Sequence, residues 1–267
     1  MCGRFAQATG DRGLIDAFSI HQVMASELGP SWNVAPTHPA YVILERYEDA
    51  AGPVTDATAA SPALTRQLRT LRWGLVPSWA KDPAIGSRMI NARSETVTEK
   101  PSFRTAAGKR RCLVPAAGYY EWQKLGTGSR PRKQPYFLHG GDLDTPPGSE
   151  PLLAFAGLYE AWRDPSLPED HPDPWLRTFT VLTRPATDAL GHIHDRSPVL
   201  VPRELHGDWL DPDLTEVDSL MAAIPEPHLS PRPVSPAVGN VGNNGAHLIE
   251  PIELDGAPPS DSSTDSP

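Results

Sequence analysis

Cysteine is nearly absent from this sequence, which contains only Cys2 and Cys112 among 267 residues. Two cysteines exclude a framework of several disulfides and a zinc site built from several thiolates. Long apolar runs are also missing, since none approaches the about 18 residues that a spanning helix needs. The N-terminal residues lack a basic segment followed by an apolar one, so we expect a cytoplasmic protein with no secretory signal and no membrane contact.

Proline, by contrast, is abundant, with 31 residues, which argues against long helices or a coiled coil. The apolar fraction of 39% is enough to build a core. Strand-like stretches dominate, with a few helices between them. The pattern predicts one α+β domain over residues 1–252, with a mainly antiparallel barrel-like or sandwich-like core and flanking helices, followed by a disordered acidic tail at 253–267.

The predicted elements follow from apolar periodicity and from Gly/Pro punctuation. Strands are expected at 2–6, 41–44, 112–115, 118–122, 136–138, 152–159, 179–183 and 198–201, with strand-like residues at 71–79 that Gly74 and Pro77 interrupt. Helices are expected at 11–27, 185–190 and 216–224, and polar insertions at 49–63 and 164–174.

Charge is distributed unevenly along the chain, although the net charge is −9. Between Arg88 and Lys133 there are 11 Lys/Arg and 3 Asp/Glu, whereas no Lys or Arg follows Arg232. A basic middle segment favours a cationic face that binds an anionic polymer, but chance clustering on a solvated surface explains the same counts.

Cys2 is the most informative residue, because loss of Met1 would leave an α-amine and a thiol on neighbouring atoms. Such an aminothiol condenses with an aldehyde to an imine, and the thiol then closes a five-membered thiazolidine ring. The α-amine has an ordinary pKa of about 7.7–8.0, so part of it is nucleophilic near neutrality. The alternative is that Cys2 is simply a small second residue.

Two titratable residues lie in suggestive surroundings. Glu121 is embedded among aromatics in Gly118–Trp122, where it is either solvent-facing on a strand edge or buried with a raised pKa suited to proton transfer. His194 lies in a loop-like polar stretch and would suit acid–base work, although it is one of nine histidines, most of which are structural or solvated.

Other polar and aromatic candidates also admit two interpretations. The cluster from Asn91 to Glu95 is suited to orienting a nucleophile and holding phosphate, or else forms a turn with an exposed ion pair. Trp79, in a loop-like context, is the best of seven tryptophans for stacking on a base. The Gly/Asn-rich stretch 239–245 lacks the Gly-Lys-Ser/Thr ending of a phosphate loop, and no His/Glu spacing indicates a metal site.

Nine short motifs in order resemble the SOS response-associated peptidase (SRAP) family. They are residues 1–5 (MCGRF), 32–37 (WNVAPT), 73–79 (WGLVPSW), 91–96 (NARSET), 100–103 (KPSF), 111–115 (RCLVP), 118–122 (GYYEW), 194–198 (HDRSP) and 237–240 (AVGN). Each motif is weak alone, but together they cover the chain to about residue 250. We expect a monomer without a cofactor or metal. The resemblance implies that its partner is DNA containing abasic sites, in a single strand or at a junction between single and double strands.

The resemblance also implies a role for each matching residue. Cys2 becomes the nucleophile that forms a thiazolidine crosslink after self-removal of Met1, with weak abasic-site lyase activity and crosslink reversal beside it. Asn91 would hold Cys2, Glu121 would act near the α-amine, and His194 would transfer protons to the deoxyribose oxygen. The residues that would bind DNA are Arg4, Asn33, Trp79, Arg93 and Thr183, in a basic, aromatic-edged groove leading to Cys2.

The sequence departs from the family pattern at one position, and three other functions fit parts of the sequence. Where some family members have a second Trp after Trp79, this chain has Ala80, which removes one stacking surface. An N-terminal-nucleophile glutamine amidotransferase also begins Met-Cys-Gly, and it would release ammonia from glutamine. A non-covalent single-strand binder would release all its DNA in high salt, and a peptidase acting on other proteins would cleave unrelated peptides.

Overall fold

The computed structural model describes residues 2–47, 63–126, 132–186 and 193–254. The insertion predicted at 49–63 lies almost wholly outside these ranges, as do most of the helix predicted at 185–190 and of the acidic tail. The second insertion, 164–174, is described and joins two long strands.

Strands dominate the described chain, as predicted. They are β1 (Phe5–Gln7), β2 (Gln22–Val23), β3 (Ser31–Val34), β4 (Pro39–Tyr47), β5 (Leu64–Trp73), β6 (Asn91–Arg93), β7 (Arg111–Ala116), β8 (Gly118–Leu125), β9 (Arg132–His139), β10 (Leu153–Arg163), β11 (Trp175–Pro185), β12 (Arg196–Pro198) and β13 (Ser230–Pro233).

The helices are short. They are α1 (Asp11–Phe18), α2 (Arg104–Lys109), α3 (His206–Leu210) and α4 (Val217–Ala223), with 3-10 turns at Pro83–Arg88, Ser94–Thr96, Arg203–Leu205, Pro236–Gly239 and Ala246–Ile249. The helix predicted at 216–224 is confirmed by α4. The helix predicted over 11–27 is wrong beyond Phe18, because Ser19 takes a left-handed conformation at the helix end and Gln22–Val23 pairs with β5 instead.

Five strands close into a barrel in the order β11, β10, β7, β4 and β5. The neighbouring pairs are antiparallel, and a parallel pairing of β11 with β5, at Thr178–Arg72 and Phe179–Trp73, completes the ring. A second sheet has the order β13, β9, β8, β1 and β3. This arrangement confirms an α+β fold with a barrel-like core.

The strand-like stretch at 71–79 breaks at Gly74, as expected, and β5 ends at Trp73. Gly74 has a φ of +119°, a conformation that side chains rarely adopt. A Cβ there would also lie 2.5 Å from the backbone oxygen of Gly86. The chain therefore leaves the sheet at Gly74 and forms the loop that carries Trp79.

The apolar core lies on both faces of the barrel strands, because side chains alternate along each strand. On β4, Val42 and Leu44 belong to a first cluster, which also contains Cys2. Ile43 belongs to a second cluster, which α1, α3 and α4 cover. The first cluster joins the two sheets: Phe5 of β1 packs edge-on against Trp73 and Phe155, with ring centroids 5.0 and 5.9 Å apart. Strand β1, and with it Cys2, is thereby anchored against the barrel.

No helix in the described ranges is long and apolar enough to cross a membrane.

Candidate functional site

Cys2 lies three residues before the start of β1, which pairs with both β3 and β8 in the second sheet. The residue is 0% exposed and belongs to the same apolar cluster as Phe5 and Trp73. Burial raises the pKa of the thiol strongly, and the charge of Glu121 raises it further. The thiol is therefore neutral and enclosed. The groove expected to lead to Cys2 stays a prediction.

Asn91 holds the backbone of Cys2. Its Nδ2 donates a hydrogen bond of 2.7 Å to the carbonyl oxygen of Cys2. The side chain is positioned by β6, which pairs in parallel with β11 at Val181–Asn91. The other amide atom, Oδ1, is buried with no hydrogen-bond partner in the described structure. Asn91 therefore fixes Cys2 and keeps one acceptor available for a further donor.

Glu121 lies on β8 and is only 3% exposed, so the solvent-facing alternative is excluded. Burial raises the pKa of its carboxyl to about 7. Burial is also the main reason why the pKa values of the Cys2 thiol and the Tyr119 hydroxyl are raised, and the charge of Glu121 raises both further. A carboxyl that is half protonated near neutrality is suited to taking up or giving a proton next to Cys2.

His194 faces the same carboxyl. Its Nε2 lies 4.0 Å from Oε2 of Glu121, and its Nδ1 lies 2.8 Å from a carboxylate oxygen of Asp195 and 3.1 Å from the backbone nitrogen of Arg196. Burial lowers the pKa of His194. Near pH 7 the imidazole is therefore mainly neutral while Glu121 is partly protonated.

Thr183 is buried at a junction of three elements. It pairs with Arg93 of β6 and Pro198 of β12, and its Oγ1 lies 3.2 Å from Nη2 of Arg196. The same guanidinium binds both carboxylate oxygens of Glu95, and this pairing lowers the pKa of Glu95 to about 2.

The ion pair between Arg196 and Glu95 was not predicted, although both residues lie within motifs that the sequence singled out. The predicted turn with an exposed ion pair is partly right: Glu95 is paired, but with a residue 101 positions away. Only the fold brings the two motifs together, so no local spacing signals this contact.

Arg4 and Asn33 bind each other and a common loop. Arg4 donates to Oδ1 of Asn33 at 2.8 Å and to the carbonyl oxygens of Val238 and Gly239, and the Asn33 amide donates to three carbonyl oxygens of residues 238–243. Asn33 is 2% exposed. Both side chains therefore hold this loop, and their contact with DNA stays a prediction.

Trp79 and Arg93 are available at the surface. Trp79 is 57% exposed and the next residue, Ala80, is buried. Arg93 is exposed, and its side chain makes no hydrogen bond or ion pair with another described residue, although its backbone pairs with β11. The basic segment as a whole is less available than its charge implies. Arg110 pairs with Glu160, and Arg111 is buried and donates to four backbone carbonyl oxygens.

Four of the predicted residues thus lie in one site: Cys2, Asn91, Glu121 and His194. Thr183 lies next to this site, because Arg196 contacts both Thr183 and His194. Within the described residues, no group of three or more His, Cys, Asp or Glu side chains is placed to hold a metal ion.

Comparison with known proteins agrees with the motifs. A sequence profile of the family described as SOS response associated peptidase (SRAP) matches residues 1–241. Abasic site processing protein YoqW of Bacillus subtilis (strain 168) is 36% identical over 255 residues, which cover 94% of this chain and 99% of the relative. Abasic site processing protein HMCES of Mus musculus is 32% identical over 249 residues, which cover 84% and 66%.

Solved structures share the fold. A protein from Bacteroides thetaiotaomicron superposes with a TM-score of 0.68 at 22% identity, covering 94% of this chain and all of that one. A phage-related protein from Bordetella bronchiseptica gives a TM-score of 0.56 at 30% identity, covering 87% and 94%. The barrel architecture is therefore shared well beyond close sequence similarity.

Proposed function

The chain belongs to the SOS response associated peptidase (SRAP) family, and from this premise we propose that it processes abasic sites in single-stranded DNA by forming a covalent crosslink through Cys2. The observation that carries the proposal is the hydrogen bond from Asn91 to the Cys2 carbonyl, in a site where Glu121 and His194 face each other at 4.0 Å. The relatives named abasic site processing proteins supply the substrate class.

The reaction begins with release of Met1, which frees the α-amine of Cys2. Hydrolysis of the Met1–Cys2 peptide bond needs a group that activates water and a group that protonates the leaving amine. Glu121, with a pKa of about 7, exists in both protonation states near neutrality and supplies both functions.

The crosslink then forms in two bond-making steps. The α-amine adds to C1′ of the ring-opened deoxyribose, and loss of water gives an imine. The sulfur adds to the imine carbon while the nitrogen takes up the thiol proton, which closes the thiazolidine ring. Because the thiol and amine belong to one residue, the second step is intramolecular and gains a large effective concentration.

His194 serves the sugar. An abasic deoxyribose is closed in its resting form, so C1′–O4′ must break before an aldehyde is available. His194 takes a proton from the partly protonated Glu121 and gives it to O4′ as that bond breaks, while the C1′ hydroxyl returns a proton to the Glu121 carboxylate. The same transfers run backwards when the ring re-forms during reversal. The imine also acidifies the neighbouring C2′ position, so weak strand cleavage by β-elimination accompanies crosslinking.

Intact mass after incubation with an oligonucleotide carrying one abasic site tests the proposal. We expect a species that survives denaturation and has the mass of the Met1-free chain plus the oligonucleotide minus one water. Undamaged oligonucleotide should give no such species. Free protein and DNA alone would contradict the proposal, and ammonia release from glutamine would point instead to an amidotransferase.

Replacement of His194 by Ala is expected to slow release of the crosslinked DNA by about a hundredfold, which is the typical contribution of an acid–base group. Non-covalent binding to undamaged DNA should change little, because phosphate contacts and base stacking supply most of that affinity. The release rate is measured by the exchange of the crosslinked strand for a labelled competitor. The exposed His228 provides the control, His228→Ala, and equal release rates in H194A and parent would remove His194 from the mechanism.

Trp79→Ala is expected to weaken binding of single-stranded DNA by about tenfold, since stacking of a base on an aromatic ring contributes about 1–3 kcal/mol. Folding stability should hardly change, because the ring is largely exposed. Trp175→Ala, which removes a ring that is 45% exposed at the start of β11, is the matched control. Fluorescence anisotropy with labelled DNA measures both affinities. An equal loss of DNA affinity in the two variants would show that Trp79 makes no specific contact with DNA.

A further inference from the structure

The segment from Glu204 to Glu226 carries seven Asp/Glu and no Lys or Arg. It forms α3 and α4 and the turns around them, on the barrel face opposite to the cluster that contains Cys2. Six of the seven acidic residues are exposed. A surface of this charge repels a DNA backbone, so it belongs to a different function from the basic residues near Cys2.

The same segment encloses a cavity of about 340 Å³ between α3 and α4. Its apolar lining comes from Leu205, Trp209, Leu214, Leu220 and Ile224. Trp209 forms the floor, since it is 1% exposed and its indole N–H donates to the backbone oxygen of Cys112. Leu214 at the margin is 40% exposed. The volume is within the range of sites that receive a ligand or a partner side chain.

The polar margin of the cavity has one sign of charge. Asp208, Asp213 and Glu216 line it and are exposed, and no Lys or Arg does so within the described chain. Asp213 also accepts a hydrogen bond from the hydroxyl of Tyr47, which fixes one carboxylate at the edge. An apolar floor with an acidic margin complements an apolar side chain flanked by cations.

The chain itself has no suitable occupant. Residues 48–62, 127–131, 187–192 and 255–267 contain a single Lys or Arg between them, Arg130. The longest of these segments, 48–62, carries three acidic residues and no basic one. Charge complementarity therefore points to another molecule.

We infer that this cavity, the α3/α4 groove, binds a basic amphipathic segment of a partner protein, with a Leu-like or Phe-like side chain inserted over Trp209 and Lys or Arg side chains paired with Asp208, Asp213 and Glu216. The groove lies apart from the residues that process DNA. The partner is thus able to bind while the protein is crosslinked.

The probe is a short fluorescent helical peptide of leucine and lysine in amphipathic periodicity, titrated into the full-length protein. A leucine–glutamate peptide of the same pattern tests charge, and a serine–lysine peptide tests the apolar contribution. We expect saturable binding of the first peptide only, at a ratio of one peptide per chain. If the serine–lysine peptide bound with equal affinity, binding would come from non-specific charge attraction alone, and the inference would be overturned.

Two matched pairs of variants locate the site. Glu216→Lys combined with Asp208→Lys should weaken peptide binding by about tenfold, because two attractive pairs become repulsive. The control reverses two exposed charges elsewhere, Glu250→Lys with Glu253→Lys. Ala223→Phe fills the cavity and should lower affinity by a similar factor, whereas Ala222→Phe, on the same helix but outside the lining, should not.

The outcomes are distinguishable. An equal loss of peptide affinity in each variant and its control would overturn the inference. Concentration-dependent self-association that the peptide disrupts would also overturn it, since a second copy of the chain would then occupy the groove. Crosslinking to abasic DNA should be unchanged in all four variants, so failure of this proposal and failure of the proposed function are separate results. Circular dichroism confirms folding, and each pair gives an independent test if a variant of the other does not fold.

Discussion

Cys2→Ala should abolish the crosslink that survives denaturation, lowering its yield by more than about a hundredfold, while leaving non-covalent binding of single-stranded DNA within about twofold. The sulfur is the atom that closes the thiazolidine ring, and an imine without ring closure hydrolyses. Intramolecular closure is what makes the adduct persist, because a neighbouring nucleophile acts at an effective concentration that no solution thiol reaches. Denaturing gel electrophoresis with labelled abasic DNA measures the yield.

The chain offers a matched control in its second cysteine. Cys112 is also 0% exposed and belongs to the same apolar cluster, but it lies within β7 and has no α-amine to cooperate with. Cys112→Ala should retain the crosslink at the parental yield and lose only some stability. A denaturant-stable adduct in C2A, or its loss in C112A, would refute the assignment of Cys2 as nucleophile.

Glu121→Gln should move activity and stability in opposite directions. Crosslinking should fall by about a hundredfold, because a group that both takes up and gives a proton near neutrality becomes one that does neither. Met1 should also remain attached, which mass spectrometry of the purified variant detects. The parent's rate should rise with pH through about 7, the pKa of the Glu121 carboxyl, and that limb of the profile should be absent from the variant.

The stability effect follows from the sign of the pKa shift. Burial raises the pKa of Glu121 from 4.5 in the unfolded chain to about 7 in the folded one. The folded state therefore binds more protons between these values, and stability falls as the pH rises through the window. Below pH 4.5 the carboxyl is neutral in both states and costs nothing. Above pH 7 the full cost, up to about 3 kcal/mol, is present, and a neutral glutamine removes it.

Urea unfolding at about pH 4 and about pH 8, on either side of this window, measures the difference. The glutamine variant should be more stable than the parent at the higher pH and nearly equal at the lower. Glu160 is the contrast, because it is also a buried strand glutamate but is paired with Arg110 at 2.6 Å. Glu160→Gln should therefore lose stability at the higher pH and keep activity. Equal destabilisation of both variants there would mean that Glu121 is a structural residue only.

The link between these two predictions is the burial of the site. The cluster that encloses Cys2 also raises the pKa of Glu121, so the same packing keeps the thiol protected and tunes the carboxyl. Active sites commonly retain such destabilising groups because their chemistry requires them. The crosslinking activity is thus expected to depend on the packing of Phe5 and Trp73 as well as on the reacting residues.

The sequence by itself determined the family, the strand-rich fold class and the chemistry available at Cys2, because these depend on residue types and their order. It also placed Asn91, Glu121 and His194 among the candidates. The sequence could not decide whether Glu121 is buried or exposed, because alternation along β8 gives both faces of the strand aromatic neighbours. The packing of the second sheet on the barrel decides it, since Glu121 is buried in the folded protein.

The tertiary structure decided which residues meet. The parallel pairing of β6 with β11 brings Asn91 to the Cys2 carbonyl, and the return of the chain through β12 brings Arg196 to Glu95 and Thr183. It also placed Arg110 and Arg111, two cations of the basic segment, in internal contacts, and it joined Arg4 to Asn33. Local patterns carry no information on such contacts, because they join positions that are distant in the chain and are set by how the two sheets close and pack.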